Sequence, residues 1–168
     1  WDLPDISEKD LNNNKGFIEK QFAKLFKDSV RIRMRSDVAF GAFLSGGLDS
    51  SCVVSEMANH TSRAIQTFTM GFPNKQYDER HLARMVAEKF QTAHHEGLLT
   101  SDDFDEAIEK ILHHYDEPFG DSSAIPTGQI SNYASKYVKM VLTGDGGDEV
   151  LSGYTIYQGE RFAKQYQR

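Results

Sequence analysis

Apolar residues return along this chain with two alternating rhythms, and the switches between them mark its elements. In residues 15–34, Phe17, Ile18, Phe22, Leu25, Phe26, Val30 and Met34 recur at spacings of three and four. That period predicts an amphipathic helix whose stripe packs in a core. Ser36 and Asp37 interrupt it, and residues 38–44 are then apolar throughout, the pattern of a strand buried on both faces. Helical character resumes over residues 52–58 and ends near Asn59. Residues 64–72 predict a second strand ending at Gly71, followed by a loop over 73–77. A helix is expected over 78–90, with Leu82, Met85, Val86 and Phe90 on one face. Asp78 and Glu79 fall in its first turn, where acidic side chains complement the helix dipole.

The pattern continues with a short third strand at 93–99 and a helix at 101–113 that turns Phe104, Ile108, Ile111 and Leu112 inward. A long loop at 115–125, a helix at 126–137 and a fourth strand at 138–142 follow. Strands that alternate with helices imply an α/β fold with a mostly parallel sheet and right-handed crossovers. Residues 1–13 are polar, with Pro4 and a run of Asn, and read as a linker. The division is therefore 1–35 for linker and leading helix and 36–168 for the α/β unit.

Two strand ends carry the candidate chemistry. The first strand runs into Ser45-Gly46-Gly47-Leu48-Asp49-Ser50-Ser51 just before a helix. A helix N-terminus offers unpaired backbone N–H groups and partial positive charge, and phosphate binds well there. Gly46 and Gly47 permit positive φ and close approach, while Ser45, Ser50 and Ser51 add hydroxyls. Asp49 would repel phosphate unless a cation lay between, which points to Mg²⁺. The fourth strand ends in a second glycine turn, Thr143-Gly144-Asp145-Gly146-Gly147-Asp148-Glu149. If these two strands are neighbours at the switch point of a parallel sheet, Asp49 and Asp148 can face one cation.

Other readings of these residues fit less well. Walker A requires Gly-Lys before Ser or Thr, whereas Leu48 and Asp49 follow Gly47. A hydrolase nucleophile elbow needs Gly two residues before its Ser, and Phe43 stands there; no His follows His114 to complete a late triad. His94-His95, on a strand, point to opposite faces, so this pair does not chelate one metal from its own element, and the His113-His114 pair carries no simple chelate either.

Composition adds bounds. A chain of 168 residues with 39% hydrophobic residues can bury a single-domain core. The net charge of −6 argues against nucleic acid as a partner, apart from a local basic cluster at Arg31, Arg33 and Arg35. No apolar run has the length of a membrane span, and the start, Trp1-Asp2-Leu3-Pro4, has neither the basic nor the apolar part of a signal peptide. Without an initiating Met it reads as a piece cut from something longer. The single Cys52 forms no internal disulfide, which suits a cytoplasmic setting, and is expected on the buried side of its helix as a small core residue.

Ser45 to Ser50 resembles the pyrophosphate loop of ATP pyrophosphatases that adenylate a carboxylate or amide oxygen. With Tyr77-Asp78-Glu79-Arg80, His94-His95-Glu96, Asp116-Glu117-Pro118-Phe119 and residues 143–154, the chain resembles the synthetase domain of glutamine-hydrolysing asparagine synthetases. The resemblance covers nearly all of it, in order. It implies a three-layer α/β/α, Rossmann-like fold of the adenine nucleotide alpha hydrolase type, with residues 36–168 forming a synthetase domain incomplete at its C-terminus.

The same resemblance implies an ATP-dependent ligase that converts the aspartate side-chain carboxylate to β-aspartyl-AMP, releases pyrophosphate and lets ammonia form asparagine. By position, Ser45, Gly46, Gly47, Leu48, Asp49 and Ser50 hold the pyrophosphate, Leu44 and Met70 contact adenine, and Thr143 and Gly144 line the nucleotide. Asp49 and Asp148 match the Mg²⁺ ligands. Asp145 stands where the family often carries a Glu important for forming the intermediate, one methylene longer. The family makes its ammonia in an N-terminal glutaminase domain with a nucleophilic Cys. That domain has no match in this piece, so the ammonia is expected from a glutaminase domain absent here, and glutamine hydrolysis is not expected of these residues. Its downstream basic pyrophosphate ligands would fall beyond Arg168, and low activity of the isolated piece is expected. The resemblance also leaves room for a homodimer of the full-length protein. The alternatives are a β-lactam-closing or other carboxylate-amidating relative, or a nucleotide-binding module without catalysis.

Overall fold

A computed structural model of the chain describes residues 14–117 and 120–166. The linker read at 1–13 and Pro118 and Phe119 of the long loop lie outside these residues. Contacts divide the chain into two compact units, residues 1–35 and 36–168.

The first unit contains helix α1 (Lys15–Arg33). Phe22 and Phe26, one turn apart, stack with centroids 6.2 Å apart. The basic cluster at its end is engaged locally: Arg31 pairs with Asp28, and Arg33 donates to the Ser29 hydroxyl at 2.5 Å. The expected packing of the stripe is not seen at Phe17, Ile18, Phe22 and Leu25, which are exposed. Among the described residues of this unit, no other element lies over them.

The second unit follows the expected alternation. Its elements are β1 (Phe40–Phe43), α2 (Leu48–His60), β2 (Gln66–Gly71), α3 (Arg80–Phe90) and β3 (Ala93–Leu98). Then come α4 (Ser101–Tyr115), α5 (Ala124–Ala134), β4 (Met140–Leu142), α6 (Gly147–Leu151) and α7 (Thr155–Tyr166). The strands form one parallel sheet in the order β3-β2-β1-β4. Gly41 and Ala42, adjacent on β1 and therefore pointing to opposite faces, are both buried, as a central strand between two helical layers requires.

Helices α2 and α3 pack on one face of the sheet, and α5 on the other with α4 behind it. Under α5 the core is Phe68, Ala134 and Val138, joined by Phe43, Ile130, Tyr133 and Val141. On the other face α2 buries Val53, Val54 and Met57, and α3 buries Ala83 and Ala87. The connections from β1 to β2 and from β3 to β4 thus use opposite faces, which places the switch point between β1 and β4.

Several side-chain expectations change. Cys52 is exposed, not buried, because the helix starts at Leu48 and its inward stripe is Ser50, Val53, Val54 and Met57. On α3 the small residues Ala83 and Ala87 face the sheet, which leaves Leu82 and Met85 exposed. On α4, Ala107 is buried while Phe104, Ile108 and Leu112 remain exposed. In both helices the apolar stripe is wider than the surface that meets it. The long loop is shorter than expected, since α4 runs on to Tyr115 and α5 begins at Ala124.

Candidate active site

The sequence from β1 into α2 builds a tight loop that is braced by its own hydroxyls. Gly46 has φ +86, and a side chain there would come within 2.5 Å of Leu82 Cβ and 2.7 Å of the Ala83 nitrogen. Glycine is required on both counts. Gly47, by contrast, is extended (φ −66, ψ 167) and forms the N-cap of α2. Ser45 Oγ accepts from the Gly47 N–H at 3.1 Å and lies 3.0 Å from Ser50 Oγ, which accepts from the Ser45 N–H at 3.3 Å. The first helical bond runs from the Ser51 N–H to the Gly47 carbonyl. The N–H groups of Leu48 and Asp49 therefore have no partner inside the helix, the arrangement that receives an anion.

The turn after β4 lies directly against this loop. A side chain at Gly144 would come within 2.7 Å of the Ser50 nitrogen, and one at Gly147 within 2.5 Å of the Asp49 carboxyl carbon. The pairing of β1 with β4, Phe40 opposite Met140 and Ala42 opposite Leu142, causes this approach. Thr143 Oγ1 accepts from the Asp145 N–H at 3.4 Å, and the Gly147 N–H donates to the Gly144 carbonyl at 3.2 Å. Asp145 is exposed. Asp148 is half-buried with its carboxylate over Gly153, where an added side chain would meet Oδ1 at 1.8 Å.

Among the described residues, neither Asp49 nor Asp148 takes part in an ion pair, and no group of three or more acidic, His or Cys side chains is placed to hold a metal ion by itself. Two carboxylates without cationic partners beside a phosphate-shaped loop suit a hard cation. Mg²⁺ commonly takes one or two protein carboxylates and fills its remaining positions with phosphate oxygens and water.

A cavity of about 230 Å³ opens on the other side of β1, beyond the ends of β1 and β2. Leu44, Ser45 and Met70 line it, as do Phe72, Tyr77, Glu79 and Thr127. The site residues thus divide into a cavity group on the β2 side and a turn group on the β4 side, with Ser45 to Ser50 between them. Met70 is held in place by its neighbour strand, since a side chain at Gly97 would fall 2.3 Å from its sulfur.

Two ion pairs are anchored on α3. Arg80 grips Asp78 with two bonds of 2.8 Å. That bidentate bond holds the Asp78 carboxyl down at about 2. Arg84 clasps Glu96 in the same way at 2.5 and 2.6 Å. His94 and His95 face opposite sides, as strand geometry dictates: His94 Nδ1 lies 2.9 Å from Thr67 Oγ1, and His95 stacks on Phe68. Burial pushes the His94 imidazole below its ordinary value, opposed in part by Glu96. The sequence reading missed Glu79, Phe72, Tyr77 and Thr127. For Phe72, Tyr77 and Glu79 the available signal was their place around the loop at 73–77, directly after the second strand; Thr127 offered none.

A parallel α/β sheet with a glycine loop at its switch point defines a fold of the adenine nucleotide alpha hydrolase-like type. Accordingly, the structure is similar to an NH3-dependent NAD synthetase from Campylobacter jejuni, with a TM-score of 0.52 at 14% identity over 80% of this chain and 60% of that one. The asparagine synthase family model matches residues 21–168, and the chain belongs to that family. It is 50% identical over 158 residues to a putative glutamine-hydrolyzing asparagine synthetase 2 of Methanocaldococcus jannaschii, covering 94% of this chain and 30% of that protein. To asparagine synthetase 1 of Bacillus subtilis it is 32% identical over 160 residues, covering 95% and 25% respectively. The chain therefore spans between a quarter and a third of these two relatives' length.

Proposed function

We propose that this chain is the ATP-handling part of an amide-forming ligase that makes asparagine from aspartate and ammonia. The observation that carries this reading is the contact of Gly144 and Gly147 with Ser50 and Asp49, which joins the two strand-end turns into one site. Residues 36–168 are the unit that performs the chemistry. Ser45 to Ser50 receive the β- and γ-phosphates on backbone N–H groups and hydroxyls, Leu44 and Met70 enclose the base, and Thr143 and Gly144 line the nucleotide.

An oxygen of the aspartate side-chain carboxylate attacks the α-phosphorus, and pyrophosphate leaves. Ammonia nitrogen then attacks the acyl carbon of the resulting β-aspartyl-AMP; AMP departs and the nitrogen loses a proton. Asp145, exposed on the second turn, is assigned to orient the carboxylate during adenylation. Asp49 and Asp148 would hold Mg²⁺, which neutralises charge developing on the transferring phosphate.

The test is pyrophosphate exchange into ATP by the full-length protein. Exchange that requires both Mg²⁺ and aspartate, and that is lost in Asp49→Ala, is the expected result. Exchange that needs a different carboxylate and ignores aspartate would overturn the asparagine assignment while leaving the ligase class intact.

A further inference from the structure

Building on the nucleotide reading above, we propose that Glu79 selects the base, accepting a hydrogen bond from the exocyclic amine of adenine. Glu79 is the N-cap of α3, yet its side chain makes no hydrogen bond to the first turn of that helix. An acidic residue at a helix start ordinarily turns back to those N–H groups. Here it lines the cavity beyond β1 and β2 instead. Its neighbour Asp78 is occupied by Arg80, and among the described residues lining the cavity Glu79 is the only charged one.

The chemistry of the cavity says what that carboxylate faces. An ionised carboxylate only accepts hydrogen bonds, and it repels phosphate. Phosphate belongs to the loop at Ser45 to Ser50, where the unpaired N–H groups are. The cavity is walled by Phe43, Met70, Phe72 and Ile130, which suit a flat ring. At about 230 Å³ it is smaller than the ~300–1,000 Å³ usual for a whole drug-sized ligand. It therefore takes the base, while the sugar extends toward Thr143 and Gly144, which do not line it. The neutral donor on the edge of adenine is its 6-amino group. At the position of the amine a 6-oxo purine sets an acceptor against the Glu79 carboxylate, and the donor left on that edge is the neighbouring N1–H.

The test is isothermal titration of the full-length protein, unsubstituted and as Glu79→Gln and Glu79→Ala, with the Mg²⁺ complexes of ATP and inosine triphosphate. The unsubstituted protein is expected to prefer ATP. Glu79→Gln can donate to a 6-oxo group and is expected to narrow that preference about tenfold, mainly by tighter inosine triphosphate binding. A general loss of structure would not produce that gain. Glu79→Ala is expected to narrow it through weaker ATP binding alone. An unchanged ATP to inosine triphosphate ratio in both variants overturns the assignment of Glu79. Failure of the unsubstituted full-length protein to bind either nucleotide overturns the nucleotide reading itself.

Discussion

Gly46 and Gly146 both have strongly positive φ, +86 and +91, but differ in what surrounds them. A side chain at Gly146 would meet nothing within 4 Å. One at Gly46 would meet Leu82 Cβ at 2.5 Å and backbone atoms of Leu82 and Ala83 at 2.7–2.8 Å. Gly146→Ala should therefore lose only the conformational term, about 1–2 kcal/mol for an L-residue in the left-handed region. Gly46→Ala adds overpacking against helix backbone, about 1–3 kcal/mol more. At roughly 3 °C per kcal/mol for a chain of this size, Gly146→Ala should lower Tm by about 5 °C and Gly46→Ala by about 10 °C. Urea titration with matched m-values checks that the comparison concerns the folded state. Equal destabilisation of the two variants would refute the claim that the loop is locked against the first turn of α3.

Gly97→Ala places Cβ 2.3 Å from Met70 Sδ and 3.1 Å from Cε, atoms at the flexible end of a side chain. Stability should change by under about 1 kcal/mol while ATP affinity falls several-fold as Met70 moves into the cavity; titration calorimetry showing unaltered affinity would contradict this. Asp78 has a folded-state value depressed from 3.8 to about 2, so its contribution to stability is present above 3.8 and is lost as pH falls toward 2. Asp78→Asn should remove that part of the acid-unfolding slope, measured by circular dichroism. His94 is also depressed, so the unfolded chain takes up its proton first and stability falls as pH drops below 6.5. His94→Gln should flatten the stability curve below that pH, and an identical curve would exclude His94 as a source of the slope.

The order of the elements was legible because the periodicity changes cleanly between residues 38–44 and 52–58 and again before 138–142. What sequence could not rank was which stripe residue each helix turns inward. Periodicity chose Leu82 and Met85 on α3, but close packing on the sheet selected Ala83 and Ala87, whose short side chains let the helix approach. Cys52 went astray for a related reason. Placing the helix start at Cys52 instead of Leu48 hid the stripe that Ser50 begins, and an error of one position turns a side chain by about 100° around the helix.

The site was legible in proportion to how much of it is backbone. Gly144 and Gly147 record the close approach of the second turn to the first, and Gly46 that of the first turn to α3, approaches that a Cβ would forbid. Glu79 was read as a helix-dipole residue, because an acidic side chain at a helix start has that role in most sequences. Its different fate depends on Asp78 and Arg80. Seated over Gly71, where an added Cβ would meet Arg80 Nε at 2.1 Å, their pair fixes the chain between β2 and α3 and leaves the next carboxylate to the cavity. A motif of four residues, Tyr77-Asp78-Glu79-Arg80, thus divides its acids between structure and recognition, a division set by the end of a neighbouring strand that no local pattern records.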